Sequence, residues 1–235
     1  MNSMLKMVAP LGVSVVALLS LAPQGLAQES TSDDAMADTA MVEEADMAAY
    51  YVPLASDGGL GTGVYEDETY QGNADAPIVL IEYASLTCPH CAAFHRDGYP
   101  ALKPFIDSGQ LAYVYRDFPL DGTAYRAALS VRCLSGDAFF SAIDALYTSQ
   151  TEWRRGGSEE NLAIEISALT GQTVDEYKSC VGDPKNQETM IERYNTAIDL
   201  GVDGTPRIFI NGKPYQTSRG WAAIGNEIER MVGRL

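Results

Sequence analysis

Apolar and polar positions change their period several times along the chain, and each change predicts an element. Residues 78–84, "IVLIEYA", form a near-continuous apolar run rich in β-branched side chains, as a strand covered on both faces requires. Turn chemistry precedes it in "GNADAP" (72–77), and "GVYEDET" (63–69) before that predicts a short edge strand. The spacing after the run predicts a helix from Pro89 to Ile106, kinked near Gly98–Pro100 or Pro104 and stopped at Gly109. "LAYVYRDF" (111–118) predicts a second strand. From about residue 123 to 200 the period is helical, interrupted by "RRGGSEE" and "TGQT". "RIFING" (207–212) then turns through Asn-Gly into "KPYQTS", a hairpin, and "GWAAIGNEIERMVGRL" closes the chain as a helix. Strand, helix, strand, helical block, hairpin and helix predict an α/β fold with a helical insertion at about 121–200.

The first 60 residues have a different pattern. Lys6 precedes an apolar stretch from Val8 to Leu21, and Gly25 and Ala27 stand at the −3 and −1 positions of a cleavage site. That is the build of a secretory signal peptide over residues 1–27. At about 14 residues the stretch is short for a membrane span, which needs roughly 20; the alternative is an uncleaved anchor. Residues 28–60 carry eight acidic residues up to Asp57, no Lys or Arg, and few aromatics before Tyr50. Such a segment buries too little apolar surface to offset its ordering entropy and reads as a disordered acidic tether. Residues 61–235 remain as the folded domain, long enough for a single core.

The formal net charge is −16, and acidic residues outnumber basic ones beyond the tether too. Phosphate binding needs clustered Lys and Arg, so nucleic acid is excluded as a partner. The local pair Arg154–Arg155 reads as a solvated helix end.

The chemistry concentrates in "TCPHC" (87–91). Two cysteines at this spacing fit half of a zinc site, a structural staple or a redox pair. Zinc needs four ligands, and Cys133, Cys180 and His95 offer no second paired motif. A staple across so short a loop stabilises little. Cys88 falls where a buried strand gives way to a helix, whose first turn offers unpaired N–H groups and the positive end of the dipole. Pro89 suits the first helical position, and His90 adds a group that can be cationic. The expectation is a reactive, partly exposed Cys88 with a depressed pKa, and a more buried resolving thiol at Cys91. His95, on the same helix face as Cys91, is read equally as a structural or surface residue and as a catalytic one. Glu82 lies inside the buried strand. A carboxylate there is costly unless paired, protonated or at an edge reaching water.

"GNADAPIVLIEYASLTCPHCAAFH" resembles the active-site segment of the DsbA family of periplasmic thiol–disulfide oxidoreductases, and "GTPRIFING" matches its second signature. The likeness spans about 64–235. It implies a thioredoxin-like fold with a helical insertion, no cofactor and no metal. It implies catalytic roles for Cys88, Cys91, Pro89 and His90, and a buried proton relay at Glu82. It also implies a cis Pro206 beside the disulfide and substrate contact at Thr205, whereas an unexceptional trans proline at a strand start is the plainer reading. Thr205 departs from the family's best-known oxidase, which has valine there; periplasmic isomerases have threonine. Compartment and cysteine parity point to a structural disulfide between Cys133 and Cys180, with two free thiols as the alternative.

The resemblance implies an enzyme that donates the Cys88–Cys91 disulfide to newly exported polypeptides through a mixed disulfide. A DsbB-like quinone-linked membrane partner would re-oxidise it. Isomerase or reductase activity is the runner-up. Such isomerases dimerise through an amino-terminal domain that residues 28–60 are too short and polar to supply, which favours a monomer. A copper metallochaperone of the same fold is the alternative of another class, but it uses C-x-x-x-C with a distant histidine. Here the spacing is C-x-x-C, and both histidines, His90 and His95, lie on the active-site helix.

Overall fold

The computed structural model describes residues 68–155 and 157–235. The signal peptide, the tether and residues 61–67 lie outside the described residues. A five-stranded sheet has the order β1-β3-β2-β4-β5. Its strands are β1 (Tyr70–Gln71), β2 (Ile78–Ala84), β3 (Leu111–Asp117), β4 (Arg207–Ile210) and β5 (Lys213–Tyr215). Strands β2 and β3 are parallel, and all other neighbours are antiparallel. Strand β2 is central and every residue in it is buried, as its unbroken apolar run predicts.

Alternation along β2 divides the core. Ile78, Leu80 and Ala84 pack with the helices that follow β2 and with the insertion, while Val79, Ile81 and Tyr83 pack with Ala112, Val114, Phe209 and Ala197. Side chains of a strand alternate faces, so Glu82 shares the first face with Leu80 and Ala84. The Asn211-Gly212 turn has positive φ at both residues, 48° and 77°, which joins β4 to β5 tightly.

The helix expected over 89–106 is two helices, α1 (Pro89–Asp97) and α2 (Tyr99–Asp107), separated at Gly98. The reason is Pro100, which has no N–H for the carbonyl one turn back, while Gly98 turns its own N–H to Phe94 at 2.7 Å. The edge strand also differs. Glu68 and Thr69 are outside any strand and β1 is only Tyr70–Gln71. Gly72, at φ 94°, sits so close to the Leu111 carbonyl that a β-carbon would collide with it, and pairing ends there.

The insertion consists of α3 (Gly122–Val131), α4 (Gly136–Thr148), α5 (Gln150–Trp153), α6 (Glu159–Thr170), α7 (Val174–Gly182) and α8 (Pro184–Asp199). Polar residues at its boundaries act as caps. Asp121 accepts from the Ala124 N–H, Thr173 and Glu176 form a capping box, and Asp183 caps α8 ahead of Pro184. Cys133, just after α3, is joined to Cys180 in α7 as a disulfide with Cα atoms 5.9 Å apart. The turn Trp221–Ala223 leads into α9 (Ile224–Val232), whose Ile224 and Ile228 complete the core. Among the described residues no helix is long and apolar enough to cross a membrane.

Gly98 is held small by its neighbours. A β-carbon there would stand 2.7 Å from the buried Phe94 ring and 3.1 Å from Trp221 Cβ. Gly98→Ala should therefore destabilise the protein by about 1–3 kcal/mol, the cost of forcing extra volume into a packed site. Urea unfolding of the two proteins checks this; equal midpoints would contradict the packing.

Candidate active site

Strand β2 ends at Ala84, and the turn Ser85–Thr87 delivers Cys88 as the N-cap of α1. The Cys88 N–H closes the turn on the Ser85 carbonyl at 3.0 Å, and its carbonyl accepts from Ala92 at 3.2 Å. Pro89 occupies the first helical position, where its missing N–H leaves nothing unpaired. Pro89 and His90 are exposed, but Cys88 is only 5% exposed and Cys91 is fully buried. The expected partial exposure of Cys88 is corrected: the sulfur lies beneath the helix start and against the loop before β4. There Thr205-Pro206 is a cis peptide bond, and the Cys88 thiol meets the Thr205 carbonyl at 3.4 Å.

The two sulfurs have opposite acidities. The Cys88 pKa is lowered from the ordinary 9.0 to about 5, first by a hydrogen bond from the Cys91 thiol. Burial opposes this; the Thr205 side chain and the backbone N–H groups of Cys91 and His90 add to the lowering. His90 thus acts on the sulfur through its backbone. Cys91 is pushed far up, chiefly by burial, then by its hydrogen bond to Cys88 and the charge of Glu82. The helix terminus and the shared proton select Cys88 as the thiolate and leave Cys91 as the thiol.

Glu82 is fully buried under this pair. Its Oε2 accepts from the Tyr113 hydroxyl at 2.5 Å and lies 3.1 Å from His95 Nε2. Its Oε1 has no hydrogen-bond partner among the described residues. His95 is 6% exposed and stacks between Tyr99 and Tyr147, with ring centroids 5.3 Å and 4.2 Å away. Burial raises the Tyr113 and Tyr147 hydroxyls well above their ordinary range, helped by the Glu82 charge at Tyr113 and by Tyr115 and Cys91 at Tyr147, so both remain protonated donors.

Sequence reasoning placed Cys88, Cys91, Pro89, His90, Glu82, Thr205 and Pro206, and the structure gathers them around one turn. Cys133 and Cys180 lie apart, within the insertion. The pairing of His95 with Glu82 was missed, although its signal was present: a buried carboxylate needs a partner, and His95 follows Cys91 on the same helix face. Gln150 was also missed. Its side-chain amide donates to the carbonyls of Leu86 and Cys88 at 2.8 and 2.9 Å. Arg154, read as part of a solvated helix end, is exposed yet donates to the Thr87 carbonyl at 3.0 Å.

Thr87 Oγ1 donates to Asp121 at 2.7 Å, which joins the site to an apolar groove of about 280 Å³ lined by Pro119, Leu120, Tyr125, Met190 and Ile191. No group of three or more potential metal ligands occurs among the described residues.

A Cys-Pro-His-Cys pair at a helix N-terminus, a cis proline beside it and a helical insertion in a thioredoxin-like sheet define the DsbA-like class of protein-disulfide oxidoreductases. The chain belongs to the thioredoxin family, whose model matches residues 65–230. It is 35% identical over 177 residues to a candidate protein-disulfide oxidoreductase of Rickettsia bellii, covering 72% of this chain and 68% of that protein. The chain spans only about half, 53%, of the length of the corresponding Rickettsia typhi protein. Disulfide bond formation protein D of Bacillus subtilis is 26% identical over 68% of this chain and 75% of its own. Among solved structures, α-DsbA1 of Wolbachia pipientis superposes with a TM-score of 0.65 at 30% identity, over 72% of this chain and 92% of that one.

The acidity of Cys88 has a readable sign. Its folded value lies below its unfolded one. It therefore stabilises the reduced fold fully above about pH 9, and this stability is lost as pH falls through about 5. Ultraviolet thiolate absorbance of the reduced protein should show one ionisation near pH 5 that Cys88→Ala abolishes. The melting-temperature difference between reduced wild type and that variant should widen from about pH 5 to pH 8. A difference independent of pH would contradict the assignment.

Proposed function

We propose that the chain is an exported dithiol oxidase whose Cys88–Cys91 disulfide oxidises reduced, newly exported polypeptides in the periplasm. The observation that carries the reading is the cysteine pair at the head of α1, with Cys88 at the N-cap beside the Thr205-Pro206 peptide and Cys91 fully buried behind it. A client thiolate attacks Cys88 Sγ, the internal S–S bond breaks, and Cys91 leaves. Cys91, held far above the ordinary thiol range, takes up a proton, and Glu82 beneath it is the group suited to relay one. A second client thiolate attacks the client sulfur of the mixed disulfide, and Cys88 departs as a stable thiolate. Two client thiols become one disulfide, and the enzyme pair becomes a dithiol. Whatever stabilises the Cys88 thiolate stabilises the reduced enzyme, so the disulfide form is a strong oxidant.

An extended client backbone pairs at Thr205 beside Pro206, in the manner of an added strand. A DsbB-like quinone-linked membrane protein returns the dithiol to the disulfide. The protein acts as a monomer, exported by residues 1–27 and carried on the 28–60 tether. Cys133–Cys180 is a structural staple. Threonine before the cis proline favours isomerase or reductase activity as the second reading.

Redox titration in glutathione buffers, with alkylation and mass-spectrometric assignment, separates these readings. For the oxidase, Cys88–Cys91 becomes reduced in mildly oxidising buffer while Cys133–Cys180 stays closed. A Cys88–Cys91 bond that persists until strongly reducing conditions would favour the isomerase or reductase.

The staple makes its own prediction. It closes a loop across a sequence separation of 47, which the chain-entropy treatment values at roughly 4 kcal/mol. Replacing Cys133 and Cys180 together by Ala should lower the melting temperature and leave thiol exchange largely intact. Unchanged melting would remove the structural role.

A further inference from the structure

The turn between β2 and α1 is held from outside the thioredoxin-like sheet. Its successive carbonyls, from Ser85 to Cys88, each receive a side-chain hydrogen bond. Tyr147 Oη donates to Ser85 at 3.2 Å, Gln150 Nε2 to Leu86 and Cys88 at 2.8 and 2.9 Å, and Arg154 Nη1 to Thr87 at 3.0 Å. All three donors come from one short stretch of the insertion: Tyr147 at the end of α4, Gln150 at the start of the four-residue α5, and Arg154, which caps α5. Gln150 is 3% exposed, and its amide nitrogen has two hydrogens, one for each carbonyl it meets. A buried amide spanning the carbonyls on either side of Thr87 fixes both peptide planes at once.

We propose that Gln150 is a positioning residue for thiol exchange: by holding the Leu86 and Cys88 carbonyls toward the insertion, it fixes the sulfur of Cys88 at the helix N-terminus. The inference rests on the reading of Cys88 as the exchanging thiol. Its physical basis is the direction of the backbone dipoles. A carbonyl oxygen turned toward the sulfur repels a thiolate, whereas a carbonyl bound on the opposite side leaves the sulfur facing the N–H groups of His90 and Cys91. Without Gln150 the Leu86 carbonyl loses its buried donor and the Cys88 carbonyl keeps only the Ala92 N–H, so the turn relaxes. Tyr147 and Arg154 hold the intervening and flanking units in the same way. The insertion thereby sets the reactivity of a cysteine it does not contain.

The test uses Gln150→Met, which keeps length and volume and removes the donors. Two quantities are read on the full protein: the pH midpoint of thiolate absorbance, and the equilibrium of the Cys88–Cys91 disulfide with glutathione. The expected result is a higher midpoint and a disulfide less oxidising by roughly tenfold for each pH unit of that shift. A purely structural glutamine would lower the melting temperature and leave both quantities in place. A folded Gln150→Met protein within about twofold of wild type in the glutathione equilibrium overturns the proposal; the comparable conversion is about 0.3 pH units. Tyr147→Phe removes only a hydroxyl from the same grip and should move both readouts in the same direction by less. If Gln150→Met does not fold, Tyr147→Phe decides alone by the same criterion. A wild-type Cys88 that titrates as an ordinary thiol overturns the oxidase reading itself, and this inference with it.

Discussion

A strand buried on both faces has to surrender its chain to a helix somewhere, and in this protein that handover governs everything around it. The backbone passes from β2 to α1 through Ser85–Thr87, so the last strand carbonyls and the first helical N–H groups lie within one turn of each other. The first helical N–H groups have no partner within the helix, and the carbonyls of Leu86 and Thr87 meet no backbone N–H of the turn. The protein resolves the two shortages differently. Carbonyls are met by side chains from the insertion, while the helical N–H groups face a sulfur. A thiolate becomes the natural occupant of the position, and the placement of Cys88 follows from chain geometry more than from any feature of its own.

The second cysteine shows how one turn of helix reverses an environment. Cys91 is only three residues further, yet it lies inside the core above a carboxylate. There burial and the Glu82 charge both disfavour its ionisation, and the proton shared between the sulfurs settles on it. Glu82 in turn is tolerated in the central strand because Tyr113 and His95 meet one of its oxygens, and aromatic rings enclose the histidine. The chemistry of the cysteine pair thus extends through a buried polar column into the middle of the sheet.

Much of this was legible in the sequence wherever a local rule coincided with a global one. The unbroken apolar run of β2, the Pro89 helix start and the Asn211-Gly212 turn are local signals, and each lies where it was read. The Cys88, Cys91 and Pro206 assignments drew on the resemblance as well as on position. What escaped reading depended on distant partners. His95 looked ambiguous because a histidine's role depends on what faces it, and Glu82 faces it across 13 positions of sequence. Gln150 has no motif at all; its target carbonyls lie more than 60 positions away. The single helix expected over 89–106 failed for a local reason instead: Pro100 and Gly98 together break the ladder completely, where a kink was expected.

The strand order carries a consequence for how the molecule comes into being. Strand β2 has β3 on one side and β4 on the other, and β4 is separated from both by the whole insertion. Until residues 207–210 arrive, the most apolar strand of the protein has one open edge, and Cys88 lacks the loop that lies against it. An unpaired central edge is an invitation to foreign strands. A chain made from its amino end presents its cysteine pair first and completes the sheet last. Its own closure is therefore a race between the carboxyl-terminal hairpin and any foreign strand that reaches the open edge first.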